Sequence, residues 1–324
     1  MNRHGLVSQT GAKTKIMLDF IAIPLGHILK FIYDTIAFEN YGAAIILFTV
    51  AVKSLLLPLA VKQYHSAARM GELRPRLQEI QKKYQDEPEK MNREVMEFYR
   101  ENKLSPAGGC LPLLLQMPIL FSLYYVISQP LKYMAGKSAA AISQLYQMIP
   151  QGPDRISNMQ DLSILSYFSS HAEALKQTGG LLKQEDLLNM NFFGINLGAI
   201  PAHVFTTPFN AFIQIHNLPL LAIPVLSALT AYLSMKYSMK ASPQPSQEES
   251  GQMQSLMQKN MALTSPIMSG VIAFTVPAGL GLYWIAGNIF QMIQQLFLDR
   301  FVIKQPQNSK AKRLSVEEGK NSIE

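Results

Sequence analysis

Lys53 stands inside one of the most apolar stretches of the chain, YGAAIILFTVAVKSLLLPLAV, residues 41–61. Read as a membrane span, residues 42–61 place this lysine only about 2–3 Å from the midpoint at 1.5 Å per residue. An ammonium at that depth costs roughly 2.5–3.5 kcal/mol on insertion scales, and such groups face a partner or a water-filled cavity. Its carboxylate partner is missing from the sequence, because no Asp or Glu lies within any of the five apolar segments described below. A wet groove is therefore the expected surrounding. Thr49 falls one turn before Lys53 on the same helical face. Gln116 is central in a second apolar segment, while Asn288, Gln291 and Gln294 lie in a fifth, near Trp284. Each is a candidate to line the same groove, although a lone amide in a span commonly bonds to a neighbouring helix. Pro58, Pro118, Pro224 and Pro266 would kink or loosen their helices, which suits an open bundle.

The elements that must position these residues follow from hydropathy. Of 324 residues, 48% are hydrophobic and 16% charged, against roughly 25% charged in an ordinary soluble domain. Five apolar segments, at about 41–61, 110–131, 218–235, 262–276 and 280–298, approach the length a spanning helix needs. The expected fold is all-α and polytopic, with these five spans forming a core over residues 41–300. Residues 1–15 precede it, residues 62–105 form a charged insertion, residues 132–216 a long weakly charged region, and residues 301–324 a polar tail expected to be disordered. Pro277-Ala278-Gly279 marks a tight turn between the last two spans.

Basic residues orient this plan. The 62–105 segment holds ten Lys or Arg, whereas the longer 132–216 region holds five. Arg300, Lys304, Lys310, Lys312, Arg313 and Lys320 follow the last span. The insertion, the loop after the third span and the C-terminus are thus expected in the cytoplasm, with the N-terminus and residues 132–216 outside. Within residues 16–38, Asp19, His27, Lys30 and Asp34 fall within about 80° of one another on a helix. That stripe points to an amphipathic helix in the membrane interface, not to a cleavable signal or a span. No cysteine stands near the N-terminus, so no lipoprotein anchor is expected.

In the charged insertion Leu73, Leu77, Ile80 and Tyr84 recur at helical spacing, as do Met91, Val95, Phe98 and Tyr99. Pro88 falls where a helix's first turn accepts proline, so the segment reads as a helical hairpin with one apolar seam. Met253, Met257 and Met261, with Met268 nearby, offer adaptable apolar contacts but serve equally as core filler. The single cysteine, Cys110, provides neither a disulfide framework nor a cysteine-based metal site. The six histidines show no ligand spacing and no nucleotide or hydrolase fingerprint is present. No enzymatic activity and no cofactor are expected.

The segments VAVKSLLLPLAVKQ, GGCLPLLLQMPILFSLYYVI and FTVPAGLGLYWIAGNIFQMIQQ, taken in this order, resemble the YidC family of membrane protein insertases, relatives of the Oxa and Alb proteins. The resemblance covers about residues 16–300 and looks like the shorter Gram-positive type. It implies a bacterial plasma-membrane protein with a hydrophilic groove in the inner leaflet, open to cytoplasm and lipid and closed to the outside. The family's positive residue in the first span is usually arginine; here the matching position is Lys53, which keeps the charge without the bidentate fork. Gln116 and Trp284 match two further groove positions. Implied partners are nascent membrane proteins and membrane lipids, with the Sec translocon, ribosome and a targeting receptor as further candidates. No sequence-specific nucleic-acid partner is implied.

Two other classes compete on the residues alone. A small-solute transporter or channel would call for inverted repeats or an acidic mid-membrane site, and neither is visible. A passive membrane assembly scaffold would leave the charge of Lys53 without a task.

Overall fold

The computed structural model describes residues 3–102, 111–152, 155–156, 159–202, 218–241 and 252–300. It is helical almost throughout. Helix α1 (Arg3–Thr35) leads into α2 (Tyr41–Leu55), α3 (Leu57–Lys83), α4 (Pro88–Glu101) and α5 (Leu111–Ser128). Short helices α6 (Pro130–Tyr133), α7 (Ala139–Met148), α8 (Gln160–Ser170) and α9 (Ala172–Lys176) follow, then the two-residue strands β1 (Asn191–Phe192) and β2 (Ile195–Asn196), paired antiparallel. The last helices are α10 (Leu218–Ala241), α11 (Gln252–Thr275) and α12 (Ala278–Leu298). Among the described residues one helix, Pro219–Ser238 within α10, is by itself long and apolar enough to cross a membrane. Shorter apolar helices cover Met117–Ser128 and Thr264–Thr275. In α12 the apolar pattern is diluted by Asn288, Gln291, Gln294 and Gln295.

The expected first span is a bent pair. Helix α2 stops at Leu55, and α3 leaves it at 54°. Proline explains the place: Pro58 sits in the first turn of α3 and has no N–H to give the Ser54 carbonyl one turn back. Beyond the break, α3 continues without interruption through the rest of the apolar run into the charged insertion. Its far half packs on α4, closed by a turn at Tyr84–Glu87 with Pro88 in the first turn of α4. Leu73, Leu77, Ile80, Tyr84, Met91, Val95 and Tyr99 are half-buried and Phe98 is buried, while the charged positions between them are mostly exposed. Lys83 and Lys90 both lie over the Tyr84 ring, 5.1 and 4.9 Å from its centre.

The chain separates into two compact units whose boundaries cut through α2, α5, α10, α11 and α12. The first holds residues 1–52, 113–229 and 267–286, and contains the main core: Leu29, Tyr41, Ile45, Phe48, Leu123, Ile127, Leu131, Leu145, Ile164, Leu165 and Phe168 are essentially inaccessible. The described residues between 132 and 202, whose sequence has no clear periodicity, contribute to that core. Ser138 caps α7 by accepting from Ala141 N at 3.2 Å. Lys137 pairs with Asp186 at 2.6 Å with both side chains largely enclosed. At the start of α12, the N–H groups of Ala278 and Gly279, which no helical carbonyl can reach, donate to Ala199 and Leu197 at 2.8 Å.

Helix α1 has three sides. Ala22, Leu29, Ile32 and Tyr33 are buried, the expected polar stripe carries a Lys30–Asp34 pair at 2.5 Å, and Phe20, Ile23, Ile28 and Phe31 are exposed. Asp19 fastens the helix to α6: Lys132 Nζ donates to it at 2.8 Å and Tyr133 Oη at 2.6 Å. Burial lowers the affinity of the Lys132 ammonium for its proton, but these hydrogen bonds outweigh it and hold the group above its usual range. Nearby, Asp161 is 4% exposed and accepts from Lys132 N at 3.0 Å, capping the short α6. Burial pushes its carboxyl up to about 6, even though the backbone N–H groups of Lys132 and Leu131 favour the anion.

A folded-state value above the unfolded one means the folded protein holds the proton more tightly. The contribution of Asp161 is therefore complete below about pH 4 and is lost as pH rises through about 6, by on the order of 3 kcal/mol. We expect Asp161→Asn, which keeps an acceptor oxygen and cannot ionise, to flatten the fall in Tm across that interval. Parallel slopes for the two proteins would contradict the assignment.

Candidate functional site

Lys53 lies in the last turn of α2, three residues before the break and not in the middle of an uninterrupted helix. That location favours a cation, since the terminal carbonyls of a helix carry partial negative charge. Its aliphatic stem runs over Gly287 of α12: a Cβ there would meet Lys53 Cε at 3.8 Å. The side chain is half-buried. No hydrogen bond or ion pair holds the ammonium among the described residues, and no buried side-chain nitrogen or oxygen among them lacks a partner. The unpaired Nζ must therefore reach open space.

Lys53, Gly287, Asn288 and Gln291 all belong to the second compact unit, formed by residues 53–112, 230–266 and 287–324. On α12, Gly287, Gln291 and Gln294 fall within about 60° of one another, so they share the side facing Lys53. Gln291 is exposed and Gln294 half-buried. Asn288 lies on the adjoining side, where its Nδ2 donates to Thr230 Oγ1 of α10 at 3.2 Å. One turn or two further, Gln295 donates to the Tyr64 hydroxyl at 2.9 Å, and that hydroxyl donates to Asp299. Helices α3, α10 and α12 are thus tied by amide and hydroxyl contacts on one side of α12. The other side keeps its amides free for solvent or a ligand.

The remaining expected groove residues belong to the first unit. Thr49 is fully buried, with its hydroxyl donating to the Ile45 carbonyl at 2.7 Å within α2. Trp284 is half-buried against the main core. Gln116 lies on α5 with its side chain outside the described residues, as are those of Met253, Met257 and Met261; Met268 is exposed. Sequence reading missed the Tyr64–Gln295–Asp299 chain. Asp299 falls one residue past the expected last span and Tyr64 just past the first, and nothing in their spacing connects them. Among the described residues no cluster of His, Cys, Asp or Glu could hold a metal ion.

The family model described as 60Kd inner membrane protein matches residues 31–306. The chain belongs to this family, that of the YidC membrane proteins. Three members share the similarity over three quarters or more of their own length. A membrane protein insertase YidC of Caldanaerobacter subterraneus subsp. tengcongensis is 30% identical over 280 residues, 86% of this chain and 94% of the relative. One from Oceanobacillus iheyensis is 30% identical over 266 residues, 81% and 75% of the two chains. One from Clostridium perfringens is 31% identical over 260 residues, 80% and 78%. Family membership makes this a bacterial membrane protein.

The contrast between Lys53 and Thr49 is open to chemistry. In a Cys110→Ser background we expect Lys53→Cys to react readily with a charged thiol reagent and Thr49→Cys to remain unmodified in the folded protein. Equal protection at both positions would mean that the space around Lys53 is closed or dry.

Proposed function

We propose that this protein is an insertase that moves nascent membrane proteins into the bilayer, using the surface around Lys53 to receive their polar or acidic leading segments. The single observation that carries the reading is an ammonium beside an apolar helix with no partner among the described residues. Membership of a family whose relatives are named membrane protein insertases supports giving that charge this task. The groove would comprise Lys53, Thr49, Asn288 and Gln291, read from their places in the apolar segments, and Gln116 and Trp284, which the resemblance implies. Thr49 contributes least, because its hydroxyl is already bonded within α2.

The chemistry required is modest. A client carboxylate entering the groove gains attraction to Lys53 that is stronger than in bulk water, since the surroundings are less polarisable. Exposed amides such as Gln291 offer hydrogen bonds that offset the loss of hydration. The client's apolar segment can then leave along lipid-facing surface, and the membrane potential assists outward movement of negative charge by about 2.3 kcal/mol per charge per 100 mV. No nucleotide is needed. In the topology that suits this reading the chain crosses five times, the N-terminus and residues 132–202 face outside, and the α3–α4 hairpin faces the cytoplasm. There the hairpin would meet ribosomes, a targeting receptor or the Sec translocon.

Clients with acidic tails test the charge directly. Lys53→Arg should retain their insertion, and Lys53→Ala should reduce it roughly 5- to 30-fold if the contact contributes about 1–2 kcal/mol. Equal insertion by all three proteins would remove Lys53 from the mechanism. Crosslinkers placed at residues 53, 116 and 284 should capture stalled nascent chains, and a cysteine at residue 90 should be labelled from the cytoplasmic side alone.

A further inference from the structure

Two phenylalanines near the Tyr41 end of α2 are left in the open: Phe38 is 92% exposed and Phe193 87%. A lone exposed aromatic needs no explanation, but the backbone disfavours both positions. Phe38 and Glu39 take consecutive left-handed φ angles of 50° and 56°. Phe193, at φ 50°, precedes Gly194, at 79°, on the tip of the β1–β2 hairpin. Two central residues with positive φ form a turn that strongly prefers asparagine, aspartate or glycine first and glycine second. Glycine occupies the second place, whereas a bulky aromatic occupies the first, where asparagine would suit the turn better.

The two loops are fastened together and to the start of α2. Asn40 Nδ2 donates to the Asn191 carbonyl at 3.0 Å, and Tyr41 N donates to the Asn189 carbonyl at 3.1 Å. The ring of Phe192 lies against Gly42, where any side chain would overlap it. The hairpin is thus seated on the first turn of an apolar helix, and the residue after Phe192 is the exposed one. From the other direction, the exposed apolar side of α1 leads through Ile36, 52% exposed, into Phe38.

We propose that Phe38 and Phe193 form a paired anchor that enters the interfacial zone of the lipid bilayer at the Tyr41 end of α2. The loops that carry both rings are fastened at the start of α2, and aromatic rings favour the boundary at which an apolar helix surface begins. In the topology proposed above this is the outer leaflet. The exposed side of α1 continues the same lipid contact, so the anchor fixes the depth of the outer end of α2. The inference rests on the reading of α2 as the start of a span.

Single tryptophans test it in the full chain, reconstituted in phosphatidylcholine–phosphatidylglycerol vesicles with lipids brominated at shallow or deep positions. Phe38→Trp and Phe193→Trp are each read against the parent, whose Trp284 is a constant background. Val50→Trp on the exposed side of α2 reports the span, and Glu173→Trp reports the water-facing surface. Emission at 38 and 193 should shift to the blue and be quenched several-fold more than at 173, most strongly by the shallow bromines. If Val50→Trp is quenched and both anchor positions behave like 173, the anchor is wrong and the span stands. If Val50→Trp is also unquenched, the span reading falls and takes the anchor with it. A blue shift that appears only on adding a second protein marks a protein-docking site and overturns the lipid anchor.

Discussion

An ammonium group among apolar side chains must end on an acid or in open space, and the surroundings of Lys53 are organised by that requirement. Helix α2 stops within one turn of it. Gly287 supplies no side chain to obstruct its stem. The polar groups nearest along α12 divide into those consumed by helix–helix bonds and those left exposed. Asn288 and Gln295 belong to the first set and Gln291 to the second. A single amide with no helix partner would be weak evidence of a binding surface. An unpaired cation with a row of amides on the facing helix side is stronger, because each part would otherwise cost free energy without return.

In the other compact unit several charges are enclosed in pairs or on backbone N–H groups. Asp19 with Lys132, Lys137 with Asp186, and Asp161 with the backbone of α6 all join segments far apart in sequence. The first fastens α1 to α6, the second ties the chain after α6 to Asp186, and the third ties α8 to α6. These contacts add fixed points to the short helices α6 and α8, which would not hold their shape alone.

Much of this was legible in the sequence, and the limits have physical causes. The apolar seam of the α3–α4 hairpin and the entry of Pro88 into α4 follow from local periodicity and proline geometry. The break at Leu56 is only half legible: Pro58 announces a disturbance, but hydropathy reads residues 41–61 as one run and places Lys53 near its middle. Thr49 shows the limit of face arguments. The period of a helix puts it above Lys53, yet cannot say that neighbouring side chains enclose it or that its hydroxyl turns inward to Ile45, an option threonine has in any helix. Asp161 and the Tyr64–Gln295–Asp299 chain depend on contacts across 29 to 235 residues, and no spacing rule reaches so far.

The continuity of α3 past the break makes it a lever. Its 27 residues extend about 40 Å at 1.5 Å per residue, with Lys53 three residues before its near end at Leu56. Tyr64, bonded to Gln295 of α12, holds the near end, so a ten-degree bend at Pro75 inside the helix would sweep the Tyr84 turn through about 2 Å without moving the ammonium.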